Sequence, residues 1–295
     1  MTFQISAKAL SNNFSLPVFG IGTYMMGGRR ERDEENNDQK DIEAIQAAID
    51  HGVTHIDTAE MYAAGHSEVI LGKAIKQYDR SDLFIASKVM PKNLHYDDVV
   101  RSCEGSLQRM GIDCIDLYYI HGPNPDIPLE ETLRAFKDLH TRGLIKNIAV
   151  SNFSVKRFQE AQSKIDIKIV ANQLHYNLMI RENEKNGFVE FAKNNDVFLV
   201  TWMPIQRGDL STMERFGSDF QYLFEKYGKT PSQIAINWLI SQKNVVTIAK
   251  SSDLKHLEEN LGAVGWQMEE EDIEKLRREF PGQEFVSNRV PLIGD

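Results

Sequence analysis

The sequence predicts an α/β fold, a closed (β/α)8 TIM barrel, on two observations. Eight short apolar runs alternate with amphipathic helical stretches from residue 19 onward. Most of those runs are continuous rather than alternating in polarity, the pattern of parallel strands buried on both faces. Such an alternation suits a barrel better than an open, doubly wound sheet.

The elements follow in order. Residues 3–18 precede the first barrel strand and are expected to form a small β-hairpin over the barrel floor. The eight strands are placed at 19–24, 54–57, 83–88, 116–121, 145–151, 169–173, 197–203 and 245–250. Between them, Val100, Cys103, Leu107 and Met110 share one helix face, at offsets of three and four. Leu129, Leu133, Phe136 and Leu139 do the same in the next unit. Ser67 and Ser232 are placed as N-caps, and Gly52, Gly111 and Gly143 as C-terminal stops. After the eighth helix, Ile273, Leu276 and Phe280 mark an extra C-terminal helix, followed by an irregular tail with Pro281, Gly282 and Pro291. No linker is evident, so residues 1–295 are expected to form one domain. Residues 29–38 open on the charge run RRERDEE. This segment reads as a solvated loop, with a flap over the catalytic face as the alternative.

Bulk properties narrow the class. A chain of 295 residues, 41% hydrophobic and 26% charged, has the composition of a soluble protein with a substantial core. No apolar run approaches the roughly 20 residues that span a bilayer, and the amino terminus lacks a signal-peptide pattern. The expected location is therefore cytoplasmic, with no membrane partner. Cys103 and Cys114 make no disulfide framework and have no metal-ligand spacing, so no metal is expected. A formal charge of −9 argues against nucleic-acid binding, though not against a nucleotide cofactor. Dinucleotide fingerprint, P-loop and zinc-protease motifs are absent.

In a barrel, polar residues at the carboxyl ends of strands are the catalytic candidates. Here the strands end in Asp57, Lys88, His121, Ser151 with Asn152, Gln173, and Lys250. A barrel serving only as scaffold explains one or two such ends. It does not explain six, because burying each polar group costs free energy unless the group is paired.

These residues also carry a resemblance to a known family. The stretch HIDTAEMYAAGHSE at 55–68 resembles the D-T-A-x-x-Y-G-x-G-x-x-E signature of aldo-keto reductases, with Ala63 where glycine is usual. LYYIH at 117–121 is similar to the family's fourth strand, AVSNF at 149–153 to G-V-S-N-F, and QLHYN at 173–177 to Q-x-x-Y-N. IAKS at 248–251, followed by Glu259 and Asn260, resembles I-P-K-S and the later E-N pair. The matches keep their order across residues 20–260.

The resemblance implies a (β/α)8 barrel with a nicotinamide cofactor at its top, NADP(H) preferred and NAD(H) possible, and a small-molecule carbonyl substrate. Its catalytic tetrad falls on Asp57, Tyr62, Lys88 and His121. On physical grounds the Lys88 ammonium is expected to lower the Tyr62 phenol and tune it as a general acid. Asp57 would hold Lys88, and His121 would donate to the carbonyl oxygen. For the cofactor, the resemblance implies Gly22 and Thr23 beneath it, and Ser151, Asn152 and Gln173 on the carboxamide. Trp202 stands where a stacking tyrosine is common; Met203, Ile205 and Arg207 follow in the same loop. Lys250 and Ser251 match the 2′-phosphate grip, and Glu259 and Asn260 the adenine contacts. Tyr24 and Met25, with Tyr62, His121, Trp202 and the tail near Phe285, would line the substrate pocket.

Three departures bear on the cofactor. Met203 offers pyrophosphate no side-chain donor, His256 replaces a common arginine, and Ala249 replaces a proline. The alternative from another class is a noncatalytic nicotinamide-binding regulatory or structural protein, against which the intact tetrad speaks.

Overall fold

In the computed structural model, which describes residues 2–281 and Ser287, the chain opens on the expected hairpin. Strand β1 (Ala7–Ala9) pairs antiparallel with β2 (Ser15–Pro17). The barrel strands are β3 (Phe19–Gly22), β4 (His55–Asp57), β5 (Phe84–Val89), β6 (Leu117–Ile120), β7 (Ile148–Ser151), β8 (Ile169–His175), β9 (Phe198–Trp202) and β10 (Val245–Ala249). Each pairs parallel with the next, and β10 closes on β3 with Ile248 opposite Gly20. Every residue of these strands except Phe84 and Trp202 is buried, which is why their apolar runs are continuous.

The helices wrap the outside. They are α1 (Asp38–Asp50), α2 (His66–Ile75), α3 (Tyr96–Met110), α4 (Leu129–Thr141), α5 (Val155–Ser163), α6 (Glu182–Lys185) and α7 (Phe188–Asn194). After β9 come α8 (Met213–Phe216), α9 (Tyr222–Tyr227), α10 (Pro231–Ile240), α11 (Leu254–Leu261) and α12 (Glu270–Glu279). The predicted faces hold: Cys103, Leu107 and Met110 of α3 are buried, with Val100 packed half-buried beside them. So are the four α4 residues and, in and just beyond α12, Ile273, Leu276 and Phe280. Among the described residues no helix is long and apolar enough to cross a membrane.

Two helix starts differ from expectation. Gly65, left-handed at φ 90°, precedes α2, so Ser67 lies inside the helix and donates to the Met26 carbonyl instead of capping. At α10 the cap is Thr230, in a capping box with Gln233, and Pro231 takes the first helical position. Ser232 lies one residue further in and donates to Ser211.

The hairpin region fills the barrel floor. Leu10, Phe14 and Leu16 join Ala86, Leu117, Phe198 and Val200 in the interior, with the Phe14 and Phe198 rings 5.9 Å apart. At the start of β4, opposite Phe84, His55 is completely buried, its ring 5.2 Å edge-on from that of Phe84. Gly20 makes room for it: a Cβ there would lie 2.8 Å from the imidazole. Neither ring nitrogen of His55 has a partner among the described residues, and burial lowers its pKa from 6.5 to about 4.

The unfolded chain therefore takes up this proton well before the folded one. Stability is full above the ordinary value of 6.5 and is lost as pH falls toward 4, by about 3 kcal/mol. Urea unfolding at about pH 7.5 and about pH 4.5 measures the loss, and a His55→Leu variant should lose much less over the same interval. Equal losses in both proteins would remove His55 as the cause.

Candidate active site

Adjacent strands bring three of the predicted residues to one mouth of the barrel. Asp57 ends β4, Lys88 lies near the end of β5, and His121 directly follows β6. Tyr62 arrives on a one-turn 3-10 segment, Tyr62–Gly65, after β4. Ala63 and Ala64 in that segment are left-handed, at φ 51° and 52°, a conformation costing a residue with a Cβ about 1–2 kcal/mol. The charged loop offsets this: the Ala63 and Ala64 amides donate to the Arg29 and Arg30 carbonyls at 2.8 and 2.7 Å. The side chains of Arg29 through Glu35 remain exposed. The loop thus supports the tyrosine turn through its backbone.

Lys88 is fully buried and spends all three of its protons. Its Nζ donates to Asp57 Oδ1 at 2.5 Å, the Thr58 carbonyl at 2.7 Å and Tyr62 Oη at 3.3 Å. Burial alone would lower its pKa. Asp57, with Tyr62 beside it, reverses this and raises the lysine above its ordinary value. The Tyr62 oxygen accepts from Lys88, so its own proton points elsewhere.

One expectation is corrected here. Burial pushes the Tyr62 phenol above its ordinary 10, and the pull of Lys88 in the other direction does not overcome it. His121 packs edge-on to Tyr62 at 5.6 Å. Burial, reinforced by the charge on Lys88, holds its imidazole well below the usual value, so the ring is neutral near pH 7. Its Nδ1 is buried without a partner among the described residues. A proton there would be stranded, which leaves Nε2 as the N–H.

Ser151, Asn152 and Gln173 interlock beside this centre. Ser151 donates to the Gln173 carbonyl at 2.9 Å, and Asn152, at φ 62°, donates to Ser151 Oγ and to the His121 carbonyl. Gln173 Nε2 reaches across the barrel to Asp57 Oδ2 at 2.8 Å. One of its two amide protons is thereby committed, and each oxygen of Asp57 carries a hydrogen bond. Thr23, buried, donates to Thr58 at 2.8 Å. A Cβ on Gly22 would meet only Ile248 Cδ1, at 3.8 Å, so the space above it is open.

On the rim, Tyr24 is 37% exposed and packs edge-on to Tyr62 at 5.2 Å, and Met25 is half-buried. Phe285 lies outside the described residues. The loop after β9 is tightly folded, with positive φ at Met203, Gln206, Arg207 and Gly208. Ile205 is half-buried and Arg207 exposed. Asn177 donates to the Met203 carbonyl at 2.8 Å and to Gln206. Beyond β10, Lys250 is exposed, Ser251 is buried, and Asn260 donates to Ser251 Oγ at 3.0 Å. Glu259 accepts from Thr230 at 3.1 Å. Asp253 caps α11 by accepting from the His256 amide, and its carboxylate lies 3.4 Å from the His256 ring.

Sequence reasoning missed several of these groups. The Thr58 carbonyl, Asn177 and Gln206 were given no role, although Thr58 and Asn177 lie within the motifs at 55–68 and 173–177; their partners Lys88, Met203 and His175 are distant in sequence. Asp253 carried a local signal: an Asp just before a helical run is an N-cap pattern.

A parallel barrel whose mouth holds a buried lysine–carboxylate pair against a tyrosine, with a neutral histidine alongside, defines an oxidoreductase for carbonyl groups. The chain belongs to the aldo/keto reductase family, whose model matches residues 18–278. Among its relatives is a glyoxal reductase of Bacillus subtilis, 31% identical over 269 residues that cover 90% of each chain. A thermostable aldo-keto reductase solved with the inhibitor epalrestat is 41% identical, with a TM-score of 0.88 over 92% of this chain and 98% of that one. An aldo-keto reductase of Klebsiella pneumoniae solved with NADPH is 28% identical, with a TM-score of 0.84 over 99% of both chains.

Proposed function

We propose that this protein reduces aldehydes, with ketones as a further substrate class, to alcohols with NADPH, using Tyr62 as general acid. The observation that carries the reading is the saturated Lys88 ammonium, fixed by Asp57 and Thr58 and donating to the Tyr62 oxygen. The nicotinamide, when bound, supplies the hydride to the carbonyl carbon. Tyr62 passes its proton to the carbonyl oxygen, and Lys88 stabilises the phenolate that remains. A raised phenol pKa does not block this step. The developing alkoxide is a base comparable to hydroxide, whose conjugate acid has a pKa of ~15.7, so the transfer runs downhill. His121 donates from Nε2 to the same oxygen as charge builds there.

The residues present fit the cofactor. Gly22 leaves open space beside Thr23, and Asn152 and Ser151 present polar atoms at the mouth. Trp202 offers a half-buried ring, and Gln173 gives Asp57 only one of its two amide protons. Met203, Ile205 and Arg207 would hold the pyrophosphate largely through backbone, with Glu259 and Asn260 near the adenine.

The relatives' names direct the substrate test toward small dicarbonyls, glyoxal above all. Purified protein mixed with NADPH and glyoxal, methylglyoxal or 4-nitrobenzaldehyde should consume the cofactor. No loss of NADPH absorbance across such a panel would overturn the reading and favour a noncatalytic role.

Lys250 and Ser251 are assigned to the 2′-phosphate. Asp253 places a carboxylate next to His256, and Lys250 is the cation assigned to that phosphate. Lys250→Ala should weaken NADPH about tenfold, as for a lost charge-assisted contact, and leave NADH within about twofold. Titration of both cofactors by fluorescence decides it, and equal losses would remove Lys250 from that role.

A further inference from the structure

We propose that His175 is a positioning residue, its imidazole backing the Trp202 indole and setting the plane on which the nicotinamide stacks. The inference rests on the NADPH reading above. His175, the last residue of β8, lies parallel to Trp202, with ring centroids 4.1 Å apart and planes 16° from coplanar. It is buried, at 4% exposure, whereas Trp202 is half-buried at the mouth. One indole face is therefore covered by protein.

The imidazole is itself fixed on both edges. Nε2 lies 3.0 Å from Gln206 Oε1, and Nδ1 lies 2.9 Å from Ser287 Oγ. Gln206 Oε1 also accepts from Asn177 Nδ2 at 3.0 Å, which identifies it as the oxygen of that amide. His175 thus donates from Nε2 to Gln206. Ser287 is held in turn by its amide, which donates to Glu182 at 3.2 Å. Two parts of the chain distant from His175 in sequence converge on this ring: the end of β9 with its following loop, which carry Trp202 and Gln206, and Ser287. A flat aromatic surface held by a stacked neighbour resists tilting, and it can present its other face without first losing rotational freedom.

The test is cofactor affinity, read by quenching of protein fluorescence and compared with kcat and KM for one aldehyde. His175→Ala should weaken NADPH on the order of fivefold, the range of an aromatic pair, with KM for the aldehyde within about twofold. His175→Phe keeps a flat ring and should bind NADPH within about twofold of the parent. Should His175→Ala fail to fold, His175→Gln, which can still reach Gln206 but lacks the ring, reads the same difference. In a Trp202→Leu background, His175→Ala should add nothing, because the two act as one unit. The near-ultraviolet circular dichroism of the indole should change in His175→Ala and persist in His175→Phe.

Parent-like affinity in His175→Ala, or a full effect in the Trp202→Leu background, overturns the assignment while leaving the reductase reading standing. So does a Phe variant as weak as the Ala variant. A parent protein that binds no NADPH overturns both.

Discussion

Tyr62→Phe is expected to lower kcat for aldehyde reduction about a thousandfold, within the range supplied by a positioned general acid. NADPH affinity should change by less than about twofold, because phenylalanine keeps the ring contacts with His121 and Tyr24 and removes only the hydroxyl. The loss should fall on kcat rather than on KM, the signature of an interaction used in the transition state. Tyr62 also predicts a pH profile. Burial holds its phenol above 10, so the acid is fully protonated through the neutral range. Reduction should therefore be flat with rising pH and decline only beyond 10, in the alkaline region. Stopped-flow measurement of the parent and Tyr62→Phe across this range checks both points. Retention of more than about a tenth of the parent kcat in Tyr62→Phe would place the proton source elsewhere.

Much of this site was legible before any coordinates. Parallel strands buried on both faces produce continuous apolar runs, and the polar residues that end them stand out against that background. Asp57, Lys88 and His121 were visible for this reason, and Tyr62 through the motif around it. What escaped was set by contacts between residues far apart in sequence. Gln173 reaches Asp57 across the barrel, over 116 positions, and its commitment changes what its amide can offer a carboxamide. His175 meets Trp202, Gln206 and Ser287 only once the chain is closed. Left-handed backbone at Met203, Gln206 and Arg207 is invisible where no glycine advertises it. The sign of the Tyr62 shift was also beyond reach, because it depends on burial outweighing a neighbouring charge. The misplaced caps are different. Thr230, Pro231 and Gln233 spelled a capping box, and Ser232 was read in their place.

Lys88→Met should be the most damaging single change to the fold of the site. It leaves the Asp57 carboxylate at 1% exposure with Gln173 as its remaining side-chain donor, and the Thr58 carbonyl without its partner. Breaking a buried ion pair from one side costs about 3–5 kcal/mol, since the orphaned charge keeps its desolvation penalty. That is a large part of the ~5–15 kcal/mol that holds a typical domain together. Turnover should vanish as well, because nothing then stabilises the Tyr62 phenolate. The double variant Lys88→Met, Asp57→Asn separates the two losses. With no charge left buried, it should recover most of the stability and none of the activity. Urea unfolding and NADPH consumption on the three proteins give the comparison. A double variant no more stable than Lys88→Met would mean that the pair contributes through packing. An active double variant would mean that the ammonium is not required for proton transfer. The expected separation follows from the geometry: the carboxylate keeps a charged lysine tolerable in the barrel, and the lysine is the group that the proposed proton transfer uses.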